Sequence, residues 1–396
     1  MNQFDTPFNR SQTGTRKWNP QLLQEKIPEG TNIIAMDLAD IDFECAPSIK
    51  QALIERAQLA DYSYTFVPDE FYQAVIKWNQ DYFDLTLQKE WIRLTFGTIS
   101  ALHNIVQALT NPEESVLIHT PAYAPFAEAI QHNDRKLVCN HLVTRNNRYY
   151  IDFEAMEQQI VKYNVKLFIL CNPQNPSGRI WSKDELARLA ILCQKYRVYI
   201  VSDEIHRDIV FRGNTFTSLW KAYPPAKDYS VLCVSPNKGF NLGGLKTSYI
   251  VVPSKEIREK IYQRLSANYV TSPHVFAVPA IIAAYNHERL WLEQMVDYVE
   301  ENHRVVESFV REQLPLFNIM SAESSFLVWL NVQALLKTED EVKMFFDQIN
   351  LTIVLGSYFV ANGEGYIRLN IGMQRSKILE VLQRMKQAYD QKVNSI

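Results

Sequence analysis

The chain has little cysteine, no surplus of either charge and no long apolar run. Its 396 residues include five cysteines, Cys45, Cys139, Cys171, Cys193 and Cys233. They are odd in number and far apart, with no CxxC. This excludes a disulfide scaffold and points to reduced, mostly buried thiols, with no metal site expected. Lys plus Arg is 41 against 44 Asp plus Glu, a net charge of -3. Binding to nucleic-acid phosphates through a basic surface is excluded on that balance. The longest apolar run, from Val275 to Tyr285, is interrupted by Pro279. It falls short of the roughly 18 residues a membrane-spanning helix needs. The opening residues, Met1 to Thr6, carry neither the basic nor the apolar region of a secretory signal, so a cytoplasmic location is expected. No repeat of 20–50 residues and no low-complexity tract is present.

What is there is ordinary globular material, with 47% hydrophobic and 21% charged residues. At roughly 150 residues per domain, the length predicts two to three domains. The middle third alternates short Val/Ile/Leu-rich runs with amphipathic stretches. Strands are predicted at Arg93–Phe96, Ser115–Ile118, Leu167–Cys171, Val198–Ser202, Val231–Val234 and Ser248–Val252. Helices are predicted at Ser100–Leu109 and Lys183–Lys195. Such alternation predicts an α/β fold with a mostly parallel sheet. The last third predicts a smaller α+β unit. It has one long helix over His287–Gln313, short strands around Ser325–Leu330 and Tyr366–Ile371, and a closing helix over Ser376–Val393. The first 45 or so residues carry turn formers and little periodicity, and are expected to drape over another domain.

In parallel α/β sheets, ligands bind beyond the carboxyl ends of the strands. Five consecutive predicted strand ends carry polar, aromatic or glycine-bearing turns. Gly97-Thr98-Ile99 opens a helix whose free N–H groups suit a phosphate, or is a plain strand–helix turn. His119-Thr120-Pro121-Ala122-Tyr123 follows the second strand. The third leads into Asn172-Pro173-Gln174-Asn175-Pro176-Ser177-Gly178, whose two Asn-Pro steps hold the backbone rigidly. Asp203 is either a helix cap or the partner of a buried cation. Lys238 is either solvated or a desolvated amine able to form an imine. Arg368, in an alternating strand pattern, is either an outward surface residue or a fork for a carboxylate.

Together these segments resemble the fold type I pyridoxal-phosphate enzymes of the class I/II aminotransferase superfamily. The carrying residues are Asn-Pro-Gln-Asn-Pro-Ser-Gly at 172–178, Ser-Asp-Glu-Ile-His at 202–206, Ser-Pro-Asn-Lys at 235–238, Lys246, and Arg-Leu-Asn at 368–370. A finer resemblance is to the cystathionine β-lyase, or C–S lyase, branch. It rests on Lys-Trp at 17–18, Ala-Asp-Ile-Asp-Phe at 39–43, Tyr-Ser-Tyr-Thr at 62–65, Ser-Asp-Glu-Ile-His-Arg-Asp at 202–208 and the run 241–249. The resemblance implies a large cofactor domain over 49–289 with a mostly parallel seven-stranded sheet covered by helices. It also implies a small α+β domain made of 1–48 and 290–396.

The resemblance further implies pyridoxal 5′-phosphate as cofactor, held by Lys238 as a Schiff base. Asp203 would pair with the ring nitrogen and keep the ring an electron sink. Gly97, Thr98 and Ile99 would cradle the phosphate with Ser235 and Lys246. Tyr123 would stack on the ring, and Asn175 would bond the ring hydroxyl with His206 close by. Tyr64 would reach the phosphate of the neighbouring subunit, giving a homodimer with shared sites. Arg368 would grip the substrate carboxylate, with Asn175, Tyr123 and Ala39 beside it. Lys246 stands where arginine is usual, keeping the charge but losing the fork. Gln174, Asn237 and Gly239 also depart from residues common in this branch, as does Ser63 between Tyr62 and Tyr64. The implied reaction is β-elimination of cystathionine or cysteine to a thiol, pyruvate and ammonia. An aminotransferase and a cofactor-binding regulatory protein without turnover are the alternatives.

Overall fold

Seven short strands build the larger sheet: β1 Ile92–Phe96, β2 Ser115–Thr120, β3 Lys136–His141, β4 Val165–Cys171, β5 Tyr199–Asp203, β6 Ser230–Val234 and β7 Thr247–Val251. The computed structural model describes residues 2–395. Across the sheet the order is β1-β7-β6-β5-β4-β2-β3. The neighbours from β6 to β3 are parallel, while β7 runs antiparallel to both β1 and β6. The predicted α/β architecture with a mostly parallel seven-stranded sheet is therefore present. β3 was not among the predicted strands. It lies at the sheet edge, and its sequence Lys-Leu-Val-Cys-Asn-His is half polar.

The strands are apolar on both faces because both are covered. Alternate residues go to opposite layers, as the two-residue period of a strand requires. Leu117, Phe168, Leu170, Ile200 and Leu232 join one cluster with the helices Asp69–Phe83, Lys183–Lys195 and Ala277–His287. Their sequence neighbours Val116, Ile118, Ile169, Val201 and Val231 join the other, with Thr98–Leu109 and Lys255–Ala267. Helix Lys183–Lys195 starts where Ser182 and Glu185 form a reciprocal capping box.

A second sheet is antiparallel: β8 Asn318–Ile319, β9 Leu327–Asn331, β10 Val354–Leu355 and β11 Tyr366–Asn370, in the order β8-β9-β11-β10. Helix Arg375–Asn394 covers it with Ile378, Val381, Leu382 and Met385, a helical stripe. The amino-terminal segment is tied in at both ends. Phe4 is buried against Phe43, Trp291 and Tyr298, and Ile34–Ala35 pairs in parallel with Leu351–Thr352.

One expectation is corrected. The long helix expected over His287–Gln313 is present as one helix but starts two residues later, at Arg289, because His287 is the last residue of the preceding helix. Glu288 breaks the register between them, and its carboxylate accepts the N–H of Ser48 at 2.5 Å, in the first turn of helix Pro47–Gln58. The Arg289–Gln313 helix then serves two cores. Leu292, Met295 and Val299 pack with the large sheet, and Val306 and Val310 with the small one.

Candidate active site

The carboxyl ends of β1, β2, β4, β5 and β6 open on one side of the large sheet. The reversed β7 brings its amino end to that same side, since Thr247 pairs with Phe96. This is why Lys246, eight residues after Lys238, lies beside Gly97: a side-chain carbon built on Gly97 would meet Lys246 Cδ at 3.7 Å. Gly97 has φ +89°, which other residues rarely adopt, and it leads into helix Thr98–Leu109 with Thr98 buried and Ile99 half-buried. The N–H groups of that first turn face the end of the sheet without intrahelical partners.

Lys238 follows β6 on a single helical turn, Asn237–Phe240. The turn is anchored by Ser235, whose hydroxyl donates to the Thr247 carbonyl and accepts from the Asn237 N–H. The Lys238 amine donates to the Ala39 carbonyl at 2.7 Å. Desolvation, and then the positive charge of Arg368, lower its pKa to about 8. Both Asp40 and Asp203 act in the opposite sense.

Asp203 closes β5 and is buried, accepting the N–H of Ile205 at 3.2 Å. Burial pushes it up to about 7, against that hydrogen bond and the charge of Lys238. Among the described residues no salt bridge reaches it. A fully buried carboxylate of this kind is unfavourable unless a cation or a protonated nitrogen meets it. His206 is buried nearby, 3.4 Å from the Ser325 hydroxyl, and burial with the charges of Lys238 and Arg368 keeps it neutral.

Arg368 comes from β11 of the small sheet. It is 3% exposed, and donates to Asn175 Oδ1 at 3.2 Å and to the Asp37 carbonyl at 2.9 Å. Its Nε is buried with no partner, a donor left for a ligand oxygen. Burial lowers its pKa to about 10, so it stays charged at neutral pH. Tyr123 stands beside it, with Tyr358 at 6.3 Å between ring centroids. Burial raises the Tyr123 hydroxyl to about 12.

The two asparagines of the 172–178 loop differ. Asn172 is structural, bonded to the Thr217 carbonyl and the Trp181 N–H, whereas Asn175 meets Arg368. Gln174 clasps the loop to the Pro121 carbonyl and to Ser177. Its departure from the family pattern therefore falls on a buried support. Tyr64 is not brought to this cluster; it is 98% exposed, in a stretch with exposed Tyr62 and Phe66. Asn370, Asn241 and Ala39 stand in segments that carried the resemblance, but no task for the two amides or for the other carbonyls of 37–42 was legible, because backbone atoms and buried amides leave no mark in composition or periodicity.

The donor set fits a phosphorylated aldehyde with a basic ring nitrogen. There is a low-pKa amine, a buried carboxylate without an ion partner, a glycine-led helix start beside a lysine, and a buried guanidinium with a spare N–H. Among the described residues no group of three or more His, Cys, Asp or Glu is placed to hold a metal ion. Nor is any helix there long and apolar enough to cross a membrane.

Similarity to known proteins agrees with this geometry. The model of the family described as aminotransferase class I and II matches residues 31–385. Cystathionine beta-lyase PatB of Bacillus subtilis strain 168 is 34% identical over 386 residues, covering 97% of this chain and 99% of that one. The structure of cystalysin from Treponema denticola, which contains pyridoxal 5′-phosphate, matches with TM-score 0.94 and 28% identity over 98% of each chain. A C-S lyase from Staphylococcus hominis, bound to that cofactor and the inhibitor L-cycloserine, matches with TM-score 0.92 and 28% identity over 98% of each. On its sheet order, its cluster of strand-end residues and these matches, the chain belongs to the aminotransferase class I and II family.

Proposed function

We propose that this protein is a pyridoxal-phosphate-dependent carbon–sulfur β-lyase. It takes cystathionine- or cysteine-type amino acids to a thiol, pyruvate and ammonia. The observation that carries the reading is one cluster holding an amine near pKa 8, a buried carboxylate and a buried guanidinium, in a chain similar end to end to a cystathionine beta-lyase.

Each residue has a defined task. Arg368 receives the substrate carboxylate through its fork, using the free Nε, with Asn175 holding the guanidinium plane. Asp203 would hold a proton on the ring nitrogen, and would thereby gain the cation that its burial demands. Gly97, Thr98 and Ile99, with Lys246 and Ser235, would hold the phosphate; Tyr123 would cover the ring, and Asn175 would also bond the ring hydroxyl, with His206 close by. The cofactor supplies an electron-withdrawing ring that stabilises the electron pair left at Cα. Lys238, as the free amine, removes the Cα proton. The thiolate on Cβ then leaves with its bonding pair. It is a fair leaving group because a thiol has a pKa of about 8.5. Water completes the balance by converting the remaining enamine to pyruvate and ammonia.

The reading extends to a homodimer in which Tyr64, exposed in one chain, reaches the phosphate of the other. It also extends to the domain boundaries 49–289 and 1–48 with 290–396, and to a cytoplasmic location. The last is supported by five cysteines that are all free. The test is incubation with cystathionine or cysteine, with pyruvate read through lactate dehydrogenase. Pyruvate and ammonia formed one to one without a keto-acid acceptor are expected. Turnover only with an acceptor would make the protein an aminotransferase, and none with any thioether or thiol amino acid would leave a cofactor-binding regulator.

A further inference from the structure

Two marks of the resemblance, Lys-Trp at 17–18 and Ala-Asp-Ile-Asp-Phe at 39–43, have no task so far beyond the place of Ala39 beside the substrate carboxylate. The fold joins them. Each carbonyl from Asp37 to Asp42 accepts a hydrogen bond from a side chain. Arg368 bonds that of Asp37 and Asn370 that of Leu38, at 2.9 and 2.6 Å. Lys238 bonds Ala39, Asn370 and Lys17 bond Asp40, and Arg10 and Asn241 bond Ile41. Gln374 bonds Asp42 at 2.8 Å. The segment is thus a strap from the small-sheet guanidinium to the large-sheet amine.

Its outer end is held by charge. Asp42 accepts from Lys17 Nζ at 2.9 Å, from Trp18 Nε1 at 2.8 Å and from Arg10. Arg10 also pairs with Asp40 at 2.8 Å. The Lys17 side chain has 0% exposure and that of Asp42 has 3%. Burying such charges costs several kcal/mol per ion before pairing, so an apolar contact would serve mere cohesion at least as well. What an apolar contact cannot do is set the direction of a carbonyl.

We propose that Lys17, with Arg10 and Trp18, is a positioning residue. Through Asp40 and Asp42 it fixes the strap, and so the distance between the Lys238 amine at Ala39 and the Arg368 guanidinium at Asp37. The consequence for turnover rests on the lyase reading; the consequence for the strap does not. The experiment therefore has two readouts on the purified holoenzyme of Lys17→Met. Amide hydrogen exchange should rise at least about tenfold within 37–42 while the sheet strands stay protected. KM for the amino acid should rise about tenfold, with kcat changing less than about threefold. Should Lys17→Met lose protection throughout, Trp18→Phe, which removes one N–H from Asp42, is read by the same criteria with smaller changes. Unchanged exchange in 37–42, or a folded variant with unchanged KM, overturns the proposal. A wild-type protein without lyase turnover would remove the functional reading and leave the exchange result to decide the strap.

Discussion

At Asp203 a carboxylate is buried at a strand end with an N–H and no cation. Its pKa in the folded chain, about 7, lies above the usual 3.8. Protonation therefore favours folding: this contribution is complete below about pH 4 and is lost as pH rises through about 7. In protein stripped of cofactor, Asp203→Asn should raise the melting temperature at pH 8 and leave it nearly unchanged at pH 4, as calorimetry would show. The gain should be a few kcal/mol at most, at ~1.4 kcal/mol per pKa unit. Reconstitution should reverse the order, because the carboxylate then has a cation and the amide does not. Lys238→Ala should abolish pyruvate formation and the visible absorption of the lysine-bound cofactor. Lys246→Ala should keep that absorption and weaken cofactor affinity; a swap of the two results would reassign the lysines. Arg368→Ala should raise KM about a hundredfold, since a buried charge-assisted fork is lost.

Among the elements, the β1–Gly97–helix joint shows how a backbone requirement becomes a binding surface. An alanine at 97 would find space, with its nearest neighbour at 3.7 Å, but not a comfortable φ. Gly97→Ala should cost about 1–2 kcal/mol in stability and loosen cofactor binding, measurable by denaturant unfolding and equilibrium dialysis. The joint itself was legible in the sequence as a glycine between an apolar run and a helical pattern, but the phosphate reading over a plain strand–helix turn rested on the family resemblance. The reversal of β7 was not legible. Ser248–Val252 reads as a buried strand in either direction, and direction is set by which neighbours it joins. That reversal puts Lys246 beside Gly97.

For the whole molecule, the proposed sharing of sites makes a sharp prediction. Tyr64 makes almost no contact within its own chain, while Lys238 lies at the heart of its own cluster. If each site takes Tyr64 from the other subunit, Tyr64→Ala and Lys238→Ala proteins should each be nearly inactive. Unfolding and refolding them together should restore about a quarter of wild-type activity, because half of random dimers are mixed and each has one intact site. A fully active Tyr64→Ala protein would place Tyr64 outside the site, and no recovery from two inactive proteins would mean that the sites are not shared.

Apolar runs of strand length, helical stripes and turn residues settled the α/β class and where the strands end, because these depend on local periodicity and residue type, while the side chains with a chemical task were singled out only by the motifs that carry the family resemblance. Bringing Arg368 of one sheet to Lys238 of the other, and directing the 37–42 carbonyls between them, was left to tertiary contacts. Those positions are defined by hydrogen bonds between segments hundreds of residues apart, whose geometry exists only once both sheets have packed around the Arg289–Gln313 helix.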